Sequence, residues 1–496
     1  MRHASGTLRA ACLAVLFPAL LSGCTLAPQF ERPSPALPAD WRGGPAVAAQ
    51  PGAAAQDWRQ VVADGPMRRL IELALANNRD LRVAVLNIEK AQAQHEIRRA
   101  DLFPHIDASA AGNTSRTPAS LSSTGYAYTS RAYSVGLGFS AFELDLFGRV
   151  RSLKAQALEQ YLSTEASAKS VELSLVAEVG QAYMTLAADR EHLSLAREIL
   201  ETETASYEVV NDRFRNGVSN ELELAQAQTT VDTARVSVAV YEAQVTEDEN
   251  TLSLLVGLPL GPELAPAKTL AEIAPLAAVP AGLPSEVLAR RPDVVAAEHS
   301  LKAANANIGA ARAMYFPIIS LTGSYGTASN EINGLFKSGS QSWTFIPQVT
   351  LPIFHAGAIR AGVKSAEADR DITVAQYEKA VQTAFKEVSD ALAQGRSLAA
   401  QVTAQTSLTQ ATGKSYALST LRYENGLDSY LSKLDSQRAH ATARQNLITA
   451  RLSQQANRLT LYKALGGGWN GDEEPEAATL LHKTKAAAGT ARPDAG

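Results

Sequence analysis

Cysteine is nearly absent: the 496 residues hold two, Cys12 and Cys24. Cys12 falls inside an N-terminal segment that reads as a cleaved leader, so no disulfide framework can brace the fold. Packing or association must hold it together. Beyond residue 24 no apolar run reaches about 18 residues, which excludes a transmembrane helix and leaves strands as the only way to cross a membrane. Lys plus Arg number 46 against 50 Asp plus Glu, a net charge of −4, and no basic stripe offers nucleic acid a surface. The eight histidines are scattered without His-x-x-x-His spacing, and methionines number four, so no metal ligand set is expected. A Walker A run and a Gly-x-Ser-x-Gly elbow are both missing. Gly466-Gly467-Gly468 lacks the Lys-Ser/Thr and following helix of a phosphate loop and reads as a helix C-terminus. No catalytic residue and no cofactor is expected.

The N-terminus bears Arg2 and Arg9, a short apolar run from Ala10 to Leu21, and then Leu21-Ser22-Gly23-Cys24. About 12 apolar residues are too few to span a bilayer, so residues 1–23 read as a signal peptide. The last four resemble a bacterial lipobox. That resemblance implies Cys24 as the first mature residue, carrying N-acyl and S-diacylglycerol lipid, and Thr25 after it favours sorting to the outer membrane.

The rest of the chain is one design written twice. Arg213-Phe-Arg-Asn-Gly217 returns as Arg422-Tyr-Glu-Asn-Gly426, Leu222 as Leu431 and Gly257 as Gly466, all 209 positions on. Upstream, Asp80, Arg99-Ala100 and Phe103-Pro104 match Asp293, Arg312-Ala313 and Phe316-Pro317, 213 positions on. Each copy reads helix, strand, loop, strand, very long helix, turn, helix. No proline falls between Pro118 and Pro259 or between Pro352 and Pro475, and those stretches are rich in Ala, Leu, Glu, Gln and Arg. Residues 150–213 predict one helix of about 95 Å. Asn216-Gly217 and Asn425-Gly426 stop the long helices, and 220–256 and 429–465 return. Their thin apolar stripes need neighbours, as in coiled coils.

Between the helices the pattern alternates. Trp343, Phe345, Pro347, Val349 and Leu351 interleave with Thr344, Ile346, Gln348 and Thr350; so do Tyr133, Val135, Leu137, Phe139 and Ala141 with Ser and Gly, and Ile319, Leu321, Gly323 and Tyr325 with Ser and Thr. Residues 106–114 are a weaker fourth strand, and Pro347 sits awkwardly in the middle of its own. An apolar face against a small polar face over about ten residues suits a membrane β-barrel wall, or equally a half-buried sheet on a soluble domain. Four strands cannot close a barrel in lipid, so as a barrel wall several chains must pool theirs.

Ala289-Arg290-Arg291-Pro292-Asp293, Ala304-Asn305-Ala306-x-Ile308-Gly309-Ala310-Ala311-Arg312, Phe142 to Arg149, and Tyr462 to Trp469 resemble the TolC family. The nearest likeness is to outer-membrane factor lipoproteins of the OprM/NodT type, from Cys24 to about Trp469. The resemblance implies a mainly α fold with a small membrane β part: a homotrimer with a 12-stranded β-barrel in the outer membrane and an α-helical barrel in the periplasm. The expected divisions are a lipid-anchored extended segment 24–65 and a first repeat 66–257 (strands about 104–116 and 131–146). An equatorial linker 258–283 follows, then a second repeat 284–466 (strands about 317–328 and 342–354) and a disordered tail 467–496. The implied function is the passive outer-membrane duct of a tripartite efflux system for drugs or other small molecules. A periplasmic adaptor and an inner-membrane transporter would be its partners. A heavy-metal cation duct of the same fold, or a non-conducting structural surface lipoprotein, are the alternatives.

The gate is expected at the turns. Leu431 and Asp435, four apart on one helix face, would make an apolar and an acidic ring in three copies. By resemblance, Arg422 and Tyr423 tether the second hairpin to its neighbour, with Asp212 or Glu223 as acceptors. An adaptor would enter at the Gly217 and Gly426 turns. Such exposed ion pairs are worth about 1 kcal/mol or less, which suits a latch.

Overall fold

The computed structural model describes residues 25–34, 38, 57–261, 269–270, 273, 276–277, 288 and 290–469. Cys24 with its leader, most of the linker and the tail beyond 469 lie outside the described residues. The described chain runs α1 (Trp58–Val61), α2 (Gly65–Asn77), α3 (Arg79–Ala100), β1 (Asp107–Thr117), β2 (Tyr128–Leu144), α4 (Arg149–Arg215) and α5 (Glu221–Val256). Then come α6 (Pro292–Ala313), β3 (Ile318–Ser329), β4 (Gln341–Thr350), α7 (Ala358–Glu424) and α8 (Tyr430–Ala464). The two long helices α4 and α7 each hold 67 residues, as a true repeat requires.

The chain divides into two compact units. One holds Met1–Pro33, Glu89–Ser163 and Ala297–Tyr377; the other Ser34–Ile88, Thr164–Ala296 and Glu378–Gly496. The first contains the sheet, antiparallel in the order β1-β2-β3-β4. Nearly every residue of β1 and β4 is exposed, so the sheet is a single layer with no core of its own. Register separates its faces: Leu137 lies opposite Tyr325, and Tyr325 opposite Trp343, while Ser324 bonds Thr344 across the other face at 2.7 Å. Ala141, expected on the apolar face, instead forms a bulge at φ 53°, its N–H donating to Thr322 Oγ1 at 3.1 Å. The bulge turns Phe142 and Leu144 onto the apolar face and moves Glu143 to the other. There Glu143 accepts two bonds from Arg149 at the head of α4. Pro347 is accommodated because β4 is the chain's edge strand, where one row of the backbone has no partner in the chain. β4 ends at Thr350, before Pro352, rather than running to 354.

In the same unit the segment 25–34 is strapped onto α6. Asn305 donates to the Pro28 carbonyl at 2.8 Å, and Arg32 and Lys302 both reach the buried carboxylate of Glu298, at 2.7 and 2.9 Å. A Cβ at Gly309 would stand 2.8 Å from the Ala27 nitrogen, so the close approach needs glycine.

The second unit has the protein's main core. Met67, Leu70 and Ile71 of α2 pack with Val179, Met184 and Leu186 of α4, Leu252 and Val256 of α5, and Leu459 of α8. The repeat is visible in its capping. Asn78 donates to the Leu255 carbonyl at the end of α5, and Arg291 donates to the Ala464 carbonyl at the end of α8, at corresponding positions of the two copies. Arg291 also reaches Asp293 and Glu387, at 2.7 and 2.8 Å. A short amide serves in the first copy and a guanidinium in the second.

Candidate functional site at the helical hairpin turns

Both hairpins turn in the same way. Gly217 and Gly426 take φ of 72° and 71°, and the next residue's N–H bonds back six-to-one, Val218 to Arg213 O and Leu427 to Arg422 O, each 2.8 Å. Asn220 and Ser429 cap the returning helices through Glu223 N and Ser432 N. At both glycines the space a Cβ would occupy is open, so the turns present an unobstructed surface.

Beneath the turns the two hairpins lock. Tyr430 and Leu434 of α8 are buried against Val210 of α4 and Ala227 of α5, with Tyr207, Leu224 and Tyr423 at the margin. Leu431 and Asp435 point the other way: Leu431 is 51% exposed and Asp435 is exposed. The i, i+4 spacing thus separates a packing face from a face this chain leaves uncovered.

Within the chain, Arg422 and Tyr423 have other partners than Asp212 and Glu223. Arg422 does not reach Asp212 or Glu223 within the chain; it grips Asp428 in its own turn with two bonds of 2.7 and 3.0 Å. The corresponding position of the first hairpin is Ser219, which has no charge to hold Arg213 and donates instead to Glu223. Arg213 is therefore free to cross. It donates to the Tyr423 hydroxyl at 2.8 Å and lies over that ring at 5.5 Å. The partner of Tyr423 within the chain is Arg213, and Asp212 is exposed. The repeat alignment carried the signal, since only one of the two arginines has an aspartate six residues on.

A second group escaped sequence reasoning. Glu203 on α4 is buried just above the tip, and its Oε2 has no hydrogen-bond partner. Burial pushes its pKa up, opposed by a hydrogen bond from Thr230 and by Lys433 and Arg438. Lys433 donates to Ser206 at 3.2 Å and lies over Tyr423, and its own burial pulls its pKa down. Because Glu203 holds its proton more tightly in the fold than in the unfolded chain, its contribution is favourable in acid and is lost as pH rises through the raised value. Tip amides are expected to exchange more slowly at pH 5 than at pH 7.5, after correction for intrinsic rates. Glu203→Gln should abolish that difference; its persistence would show that another group carries it.

Among the described residues no group of three or more His, Cys, Asp or Glu is placed to hold a metal, and no helix is long and apolar enough to cross a membrane. A family model described as outer membrane efflux protein matches residues 70–258 and 283–467. The toluene efflux pump outer membrane protein TtgC of Pseudomonas putida is 47% identical over 454 residues, covering 91% of this chain and 94% of that protein. The antibiotic efflux pump outer membrane protein ArpC of Pseudomonas putida shows the same identity and coverage. Among solved structures, the open state of the Neisseria gonorrhoeae MtrE outer membrane channel superposes with a TM-score of 0.82 at 38% identity, covering 90% of this chain and 98% of that one.

Proposed function

The chain belongs to the outer membrane efflux protein family, and from that membership we propose that three copies close into one passive duct, gated at the hairpin turns. It is an outer-membrane efflux channel. The observation that carries the closure is the sheet: four strands, one layer thick, with β1 and β4 as free edges. Open edges are not tolerated in lipid, and three chains supply twelve strands, a number that closes.

The relatives named for toluene and for antibiotics support organic small molecules as cargo for this chain too. A duct of this kind takes its energy from an inner-membrane transporter and is reached through a periplasmic adaptor. The open turns at Gly217 and Gly426 suit the adaptor's entry, and cross-linking from either position should capture it. Cys24 is the proposed lipid site. The strap at Pro28, Arg32 and Ala27 supports this, since it holds the chain to α6 within a few residues of that sulfur.

The gate reading rests on the uncovered face with Leu431 and Asp435. Leu431→Cys places a unique free thiol there, the only other mature cysteine being lipidated. A bulky thiol reagent should reduce bilayer conductance of that variant severalfold and leave the parent untouched. Equal conductance with and without reagent would remove Leu431 from the constriction.

A further inference from the structure

The β1–β2 hairpin carries two cations and no acid between Asp107 and Glu143, and both cations fall on one face. Register decides which. Thr114 lies opposite Arg131, Gly112 opposite Tyr133, Ala110 opposite Val135 and Ala108 opposite Leu137. Directly opposed residues share a face, so Arg131 lies on the side of Tyr133, Val135 and Leu137. Arg116, opposite Thr129, lies on that side too. The opposite face holds the small polar pairs, with Ser115 bonded to Ser130 at 2.8 Å. Both arginines therefore project from the apolar face, outward from the proposed duct. They are diagonal neighbours across the ladder, about 7–8 Å apart. Each is exposed, and no ion pair or hydrogen bond of either guanidinium is found among the described residues.

Their height matters as much as their direction. From Leu144 to Tyr133 the ladder advances ten steps on β3, the bulge taking up one residue of β2, or about 26 Å along the membrane normal at ~3.4 Å per residue and a tilt near 40°, matching the ~25 Å apolar band of an outer-membrane barrel. Tyr133 stands at the outer margin, its ring covering Gly112, where an added Cβ would meet it at 3.2 Å. Arg131 lies about 5 Å farther out, at the level of the lipid head groups. Two like charges set side by side, facing lipid and with no carboxylate at their end of the hairpin, repel one another unless an anion lies between them. The neighbouring loop, 330–340, has one acid and one base, Glu331 and Lys337.

We propose that Arg116 and Arg131 form a clamp for the phosphate of a phosphorylated glycolipid in the outer leaflet, one clamp on each chain. Paired guanidinium forks match phosphate oxygens in geometry as well as charge. The clamp would fix the barrel's depth at its outer rim. The inference rests on the barrel reading above, because it needs the apolar face to meet lipid.

The test uses full-length protein purified in detergent, with native mass spectrometry reading retained lipid. The probes are bis-phosphorylated lipid A, the same lipid after dephosphorylation, and inorganic phosphate as competitor. The parent protein should retain the phosphorylated lipid at least tenfold better than the dephosphorylated one. Arg116→Gln with Arg131→Gln should erase that preference, and lysine at both positions, keeping the charge without the fork, should restore only part of it. Equal retention by the double glutamine variant, no preference in the parent, or displacement by millimolar inorganic phosphate would overturn the clamp. Bilayer conductance of the same samples separates the two readings. Normal conductance with no phosphate preference sinks the clamp alone, whereas absent conductance sinks the duct and the clamp with it.

Discussion

Arg291→Ala should destabilise the protein by about 3 kcal/mol, the largest single-residue effect outside the apolar core. Its side chain is 8% exposed and serves three partners: Asp293, Glu387 and the carbonyl of Ala464. Alanine would leave that carbonyl buried without its donor and two carboxylates facing each other without a cation. Both carboxylates keep some contact with water, which holds the cost to the lower end of the range for broken buried pairs. Arg444 provides the control. It binds Glu198 through two bonds of 2.6 and 2.9 Å, as well formed as any here, but Glu198 is 58% exposed. Arg444→Ala should cost about 0.5 kcal/mol or less. The temperature at which the oligomer dissociates on a gel should fall by several degrees for Arg291→Ala and hardly move for Arg444→Ala. Arg291→Lys should fall in between, because an ammonium cannot serve three acceptors in the guanidinium's plane. If the two alanine variants behaved alike, burial would not be what gives the Arg291 cluster its weight.

The second large effect is expected at the turns, and it ranks two residues that the repeat makes look equivalent. Arg213→Ala removes the bond to Tyr423 and the cation over its ring, a polar link at the tip between the first hairpin and the second. A charge-assisted bond of about 1.5–3 kcal/mol plus a cation–π contact of about 0.5–1 kcal/mol is enough to shift a closed-to-open ratio by a factor of ten or more per chain. Arg422→Ala removes only a brace within one turn, whose guanidinium is exposed. Leak of a large hydrophilic antibiotic into cells should therefore rise strongly with Arg213→Ala and only slightly with Arg422→Ala. The reverse order would mean that Arg422 leaves Asp428 for another partner in the assembly.

Sequence reading is strong where local chemistry decides the structure and weak where only the fold brings groups together. The helices, their stops at Gly217 and Gly426, and the repeat were legible because proline spacing, glycine and helix formers act locally. The strands were legible from alternation, apart from the bulge at Ala141, which depends on a hydroxyl from β3 that no local pattern announces. At the tip, the chain's own contacts pair Arg422 with Asp428 and Tyr423 with Arg213. Arg213 and Arg422 differ in what stands six residues on, Ser219 or Asp428, and only the folded turn makes that distance short. Glu203 was invisible for a similar reason: on a helix of many charged residues, nothing in the sequence marks a carboxylate that the fold buries. Arg116 and Arg131 could be read as outward only after register was known.

Single-channel recording of the purified full-length protein in a planar bilayer tests the account most directly. The parent should conduct in small discrete steps, and Arg213→Ala should raise the step size severalfold as the helical tips part. Discrete steps of unchanged size would place the constriction elsewhere. No steps at all, from an oligomer that survives purification, would contradict the duct itself.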